Sequence, residues 1–198
     1  MKKVISAFVL ALALFSAPAF ASEITVAPTA AYHIYDGDLK NSLGAGAEVS
    51  VKDAFGVKNL VTITGAEFVS SDFETNRTYS TAVKVVPFGS ASFNSTVQDS
   101  LDQVILSQGL GYSFGDRLGV KNLDVVTFAS ADGYFINSDT ITVDNTVGVS
   151  TGVKASYAVK DNVSVFAEYK RSWANTDSSV GEIDLDSNTI VGGVTIKI

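Results

Sequence analysis

A small set of charged and titratable residues falls where it could do chemistry, and their spacing is the first clue to what kind. Glu48, Lys154, Glu168 and Lys170 sit in segments where small or polar residues alternate with aliphatic ones, and each shares the polar parity. Lys84 falls on the same parity in its own segment, and Glu67 joins if its segment is read the same way. Together they make three acids and three bases. If these segments are strands around a narrow interior, the six charges converge, and confined charges are stable only when paired and hydrogen-bonded. Two readings follow: a selectivity constriction or gate, and a structural network that fills the bore. The second is favoured, because the interior of a small barrel is normally packed with side chains. His33, the only histidine, lies close in sequence to Asp36 and Asp38. An aspartate could orient its ring for general-base work at a strand end. A base without an evident nucleophile more often just hydrogen-bonds, so no catalytic residue is assigned.

Other chemistry is thinly represented. Cysteine is absent, so disulfides, thiol nucleophiles and Cys-based metal sites are excluded. Asp184 and Asp186 are the densest carboxylates, but no calcium-loop consensus surrounds them, and neither metal nor cofactor is expected. Gly109 and Gly111 sit in a strand-like run, without the sequel of a dinucleotide-binding loop.

The elements that must hold these residues are strands. Ile24 to Tyr35, Ser42 to Lys52, Thr146 to Val159, Val163 to Trp173 and Thr189 to Ile198 all alternate with a period of two. Further candidate strands are Asn59 to Val69, Tyr79 to Val86, Gly89 to Val97, Gln103 to Phe114 and Lys121 to Phe135. Two of these are irregular. Gln108 falls on the otherwise apolar face of its strand, and the faces of Asn59 to Val69 are ambiguous; a bulge would account for either.

The N-terminus reads differently. Lys2 and Lys3 precede an apolar run from Val4 to Phe15, then Ala19-Phe20-Ala21 offers a cleavage site. Residues 1–21 are expected to be a cleaved signal peptide and 22–198 the mature domain. Removing two of the 14 basic residues and none of the 21 acidic ones leaves a net charge of −9. Nucleic acid is therefore excluded as a partner. Mean hydropathy is positive, at +0.24, yet no mature segment is continuously apolar. Apolar residues spread over alternate positions are what a lipid-facing barrel requires. A soluble exported barrel would need the reverse, an apolar interior and a polar exterior.

The expected fold is all-β: an antiparallel up-and-down transmembrane β-barrel of eight to ten strands. Gly56-Val57-Lys58-Asn59-Leu60 recurs as Gly119-Val120-Lys121-Asn122-Leu123, with a variant at Val159-Lys160-Asp161-Asn162-Val163. Each stands between two alternating segments, which predicts a shared role as a tight turn. The remaining connectors are longer and acidic, and these should face the cell exterior. Three hairpins around the echoed turns plus one strand at each end give eight. Tyr79 to Val97 would add two more around Pro87-Phe88-Gly89, and ten is favoured because long structureless loops are uncommon. Tyr32, Tyr112, Phe114, Tyr157, Tyr169 and Trp173 lie near strand ends on the lipid-facing parity, as interfacial girdles would. Arg171 shares that face near a strand end, where it can snorkel.

Several runs carry a family resemblance. They are Val26-Ala27-Pro28-Thr29-Ala30-Ala31-Tyr32, Leu43-Gly44-Ala45-Gly46, Gly109-Leu110-Gly111-Tyr112-Ser113-Phe114, and Asp161-Asn162-Val163-Ser164-Val165-Phe166-Ala167-Glu168-Tyr169-Lys170. With them the mature chain resembles the OmpA-like and opacity-type small outer-membrane barrels, also grouped as porin-family proteins. The resemblance implies a Gram-negative outer membrane. It implies outer-membrane lipid and lipopolysaccharide as surroundings, and the barrel-assembly machinery as a partner during biogenesis. A monomer is expected. The function expected is a narrow porin-like, structural or surface-interaction role without enzymatic activity. The alternatives are a rim enzyme using His33 (a lipid deacylase, acyltransferase or protease) and a soluble exported ligand-binding barrel.

Overall fold

A computed structural model describes residues 23–37, 39–79 and 93–198. The expected signal peptide lies outside these residues, as do Lys84 and Asp38.

Eight strands close a single antiparallel barrel: β1 (Glu23–Tyr35), β2 (Ser42–Lys52), β3 (Leu60–Tyr79), β4 (Phe93–Ser113), β5 (Leu123–Ser138), β6 (Thr146–Lys160), β7 (Val163–Trp173) and β10 (Ser187–Lys197). Each pairs with its sequence neighbours around the ring, and β1 pairs with β10 to complete it. The other two strands, β8 (Asn175–Ser178) and β9 (Gly181–Asp184), form a small hairpin within the connector from β7 to β10. The shortest barrel strands have 11 residues, enough to cross a hydrocarbon layer at a tilt.

The barrel therefore has eight strands, not the favoured ten. The described ends of segment 79–97, Tyr79 and residues 93–97, belong to β3 and β4 themselves. β3 and β4 pair without a break from Leu60↔Tyr112 to Tyr79↔Phe93, far past the last rungs with their outer neighbours, Gly44↔Val69 and Leu101↔Ser138. A two-stranded ribbon of about 30 Å thus rises beyond the barrel, at roughly 3.3 Å per residue. Alternating sequence continued there because the ribbon is still a strand pair. The expected strands Tyr79 to Val86 and Gly89 to Val97 lie mostly outside the described residues.

The echoed turns do share a role. Asn59 and Asn122 both adopt left-handed φ, at 66° and 68°, three residues after left-handed Gly56 and Gly119. Asparagine tolerates that region better than other residues with a side chain. The carbonyls of Asn59, Asn122 and Asn162 accept backbone bonds from Ser113, Ala158 and Lys197 at 2.8–2.9 Å. Each turn thereby extends the ladder to the next hairpin.

Alternation sets the two faces. The outer wall exposes Leu43 (75%), Val147 (74%), Val149, Leu110, Ile190 and Ile196. An apolar surface of this extent suits hydrocarbon, not water. Tyr32, Tyr157 and Trp173 stand on it near strand ends, and Phe114 packs edge-on against Tyr112 at 5.0 Å. Tyr169 lies further from its strand end, bonding Asn188 through its hydroxyl at 2.6 Å. Phe68 and Phe135 are also half-exposed on this wall. Neither β3 nor β4 is bulged where they pair, so Gln108 stays on the outer wall. Among the described residues a register shift lies between Ala158 and Lys160.

A closed wall has no free backbone edge, so detergent alone should not unfold it. Unboiled protein extracted from membranes should migrate differently from boiled protein on a detergent gel. Identical migration of the two samples would refute the closed barrel.

Candidate functional site

Side chains of the inward parity fill the bore in layers. At the end bearing the short turns, Lys52 pairs with Asp124 at 3.1 Å, and Asp124 also accepts from the Ser113 hydroxyl at 2.7 Å. Glu23 pairs with Lys197 at 2.6 Å. Above them a polar vestibule of about 220 Å³ opens, lined by Ser50, Lys52, Asp124 and Thr195, with Glu48 and Lys154 at its inner limit.

Lys154 donates to Glu48, and this ion pair crosses the bore. β6 and β2 stand diametrically opposite in the eight-strand ring. Both residues are over 90% buried, and the ammonium also sits 4.0 Å from the centre of the Phe166 ring. Register alone would offer Lys154 a nearer partner, since it is paired across the ladder with Glu168. Yet Glu168 Oε2 has no hydrogen-bond partner among the described residues. Glu48, Glu67, Lys154 and Lys170 are the charged groups acting on the Glu168 carboxylate. The structure thus brings Glu48, Glu67, Lys154, Glu168 and Lys170 into one bore, with a smaller void of about 50 Å³ between Glu48, Glu67 and Lys170.

His33 does not stand at the rim beside Asp36, as its sequence position suggested. It points inward, 2% exposed, with Glu67 at 2.6 Å on Nε2 and the Thr189 hydroxyl at 3.2 Å on Nδ1. β1 alternates, so His33 and Asp36 leave the strand in different directions. Asp36 instead pairs with Arg171 at 2.6 Å, and Asp186 pairs with the same guanidinium at 3.5 Å. Glu67–His33–Thr189 has the order acid, imidazole, hydroxyl. Its hydroxyl is fully buried, however, so no substrate reaches it in this conformation.

Glu67 reaches His33 from two strands away because the intervening position is a glycine. A Cβ on Gly44 would lie 2.1 Å from Glu67 Oε1. The Leu43-Gly44-Ala45-Gly46 run is therefore a passage for a side chain as well as a strand.

Sequence reasoning missed part of this site. Asp132 is fully buried, accepting from Ser150 at 2.6 Å and Ser130 at 3.1 Å. Its inward parity with Ser130 and Tyr134 was the available signal. Higher still, Tyr35, Ser71 and Gln103 form a hydrogen-bonded layer. Over that layer lies an apolar cap. Leu39, Phe73, Leu101, Ile183 and Leu185 pack there with Val69 and Ile105, all nearly or wholly buried. Two of these, Ile183 and Leu185, come from the β8–β9 hairpin and its exit, a stretch whose sequence marks it only as an acidic connector. Asp184 and Asp186 serve that connector: Asp184 accepts from the Asp186 backbone at 2.8 Å, and Asp186 from the Ala174 backbone at 2.9 Å.

No family model and no curated protein sequence matches the chain. Solved structures do. Neisserial surface protein A superimposes with a TM-score of 0.58 at 12% identity, over 88% of this chain and 97% of that one. OprG of Pseudomonas aeruginosa gives 0.58 at 10% identity, over 90% and 97%. A major outer membrane protein of Thermus thermophilus gives 0.57 at 14% identity, over 88% and 99%. The fold is that of the small outer-membrane β-barrels. At such identities the likeness concerns architecture, and the bore must be read from its own residues.

The cross-bore pair and the glycine passage both respond to substitution. Lys154→Met should strand Glu48 as an unpaired buried carboxylate and cost about 3–5 kcal/mol, read as a fall in the urea midpoint. The double variant Glu48→Gln/Lys154→Met should recover part of that loss. Gly44→Val should push Glu67 off His33 and destabilise by roughly 1–3 kcal/mol through overpacking. A Gly44→Val barrel unfolding at the wild-type urea concentration would contradict the passage.

Proposed function

We propose that the chain is an integral outer-membrane barrel with a closed bore, acting as a structural or surface-interaction protein and not as an open pore or an enzyme. The carrying observation is the double obstruction. An ion pair spans the bore between opposite strands, and an apolar layer caps it at the end bearing the long connectors. Ions crossing would have to break the first and dewet past the second. The vestibule at the short-turn end is then a blind recess.

The apolar outer wall supports insertion in a bilayer, and the charged interior argues against a soluble barrel for apolar ligands. Export by the 1–21 signal, assembly by the barrel-assembly machinery, and contact with outer-membrane lipid and lipopolysaccharide belong to this reading. So does closer kinship with the OmpA-like, opacity-type and porin-family barrels, which rests on the Gly-rich and Asp-Asn runs. Short turns face the periplasm in such barrels and long connectors the exterior. The ribbon of β3 and β4 and the β8–β9 hairpin are then the parts offered to the outside.

In planar bilayers the wild type should conduct weakly. Glu168→Lys places a third ammonium beside Lys154 and Lys170. It should lower the urea midpoint or raise conductance by admitting water. Asp184→Asn, at a half-buried loop carboxylate, should leave conductance unchanged. A wide, steadily open wild-type channel would reject the closed bore. Asp161→Cys should resist a membrane-impermeant thiol reagent on intact cells; its labelling would invert the topology.

A further inference from the structure

Thr64 and Gln108 lie side by side on the outer wall, paired across β3 and β4. Gln108 stands midway between Tyr112 and Val104 on its strand, and Thr64 midway between Leu60 and Phe68. Both therefore sit near the middle of the lipid-facing band. Thr64 donates to Gln108 Oε1 at 2.8 Å. The amide nitrogen has one long contact, 3.5 Å to the Ile63 carbonyl. A carboxamide offers two N–H donors and two acceptor sites. Among the described residues at most one N–H is used, and Gln108 is exposed. Lipid tails hold no acceptor, so this amide is unsatisfied in hydrocarbon unless protein supplies a partner.

We infer that the Gln108 face is the contact surface of a dimer, with a second copy of this chain as its occupant. The inference rests on the membrane reading and departs from the expected monomer. Two features of the wall select a second copy. A carboxamide is self-complementary: across a two-fold axis, each Gln108 donates to the other and accepts from it, in the geometry that an isologous interface requires. Leu106 and Leu110 flank Gln108 on its own strand, but the outward positions beside it on the neighbouring strands are small, Ala66 on β3 and Ala131 on β5, which leaves room for a second wall to bring its amide up to Gln108. The opposite wall, formed by β7 and β10, carries Val165, Tyr169, Ile190 and Val194 in its middle stretch, with no side-chain amide among them. It has no group that a second barrel must satisfy.

The chain has no cysteine, so single introduced thiols report cleanly. Ala131→Cys lies beside Gln108, and Ala155→Cys lies on the outer face of β6. Each is expressed with its own signal and treated in isolated outer membranes with a short bifunctional thiol reagent. Ala131→Cys should give a product of twice the chain mass, and Ala155→Cys should not. Adding Gln108→Leu to Ala131→Cys should cut that product about tenfold, the loss expected for two membrane-embedded hydrogen bonds. Heat-modifiable migration confirms that each variant is folded. Should Ala131→Cys fold poorly, sedimentation of the unmodified protein against Gln108→Leu in mild detergent reads the same difference. Folded, membrane-embedded protein that crosslinks no better from Ala131→Cys than from Ala155→Cys overturns the dimer, as does a product that survives Gln108→Leu undiminished. A protein absent from the membrane fraction overturns the membrane reading and the dimer together.

Discussion

The pairing of β1 with β10 joins the first and last described strands, from Thr25↔Lys197 to Tyr35↔Ser187. It removes the free edges that an open sheet of this size would keep. In hydrocarbon such an edge would leave a row of backbone donors and acceptors unmet, each costing several kcal/mol. Closure in turn fixes everything about the interior. Eight strands enclose a bore that side chains can fill, so inward residues of strands far apart in sequence must touch.

Contact across the bore explains why the charges pair as they do. Lys154 and Glu168 are ladder neighbours, yet Lys154 makes its ion pair with Glu48, on the far wall. Glu67 likewise passes over β2 to reach His33. A neighbour-to-neighbour pattern would leave the centre of the bore hollow. The Glu48–Lys154 pair fills it and ties opposite walls together, while Glu168 and Lys170 remain beside it in a shared field.

The cap follows another logic. Its residues come from the ends of β1 and β5, from β3 and β4 where they leave the wall, from Leu39 between β1 and β2, and from the connector holding β8 and β9. The connector's acids turn outward to Arg171 and to backbone amides, which frees Ile183 and Leu185 to pack inward. A segment whose charges mark it as an outward-facing acidic connector is thus half a lid, because strand alternation sorts its residues as it does in the wall.

Alternation with a period of two determined most of what the sequence could say: strands, an apolar outside, a polar inside, and which of Glu48, Lys154, Glu168 and Lys170 share a face. The repeated Lys-Asn turns marked hairpin ends, since so few residues accept left-handed φ. Partners were beyond its reach. Parity says which way a side chain points, whereas register, ring size and the gaps left at glycines say what it meets. For that reason the sequence set His33 beside Asp36, while the folded chain set it between Glu67 and Thr189. For the same reason Asp132 went unnoticed. The count of eight was likewise decided in three dimensions. Whether an alternating hairpin joins the wall or rises above it depends on the neighbouring strands β2 and β5, and their pairing with the ribbon strands stops at Val69 and Leu101.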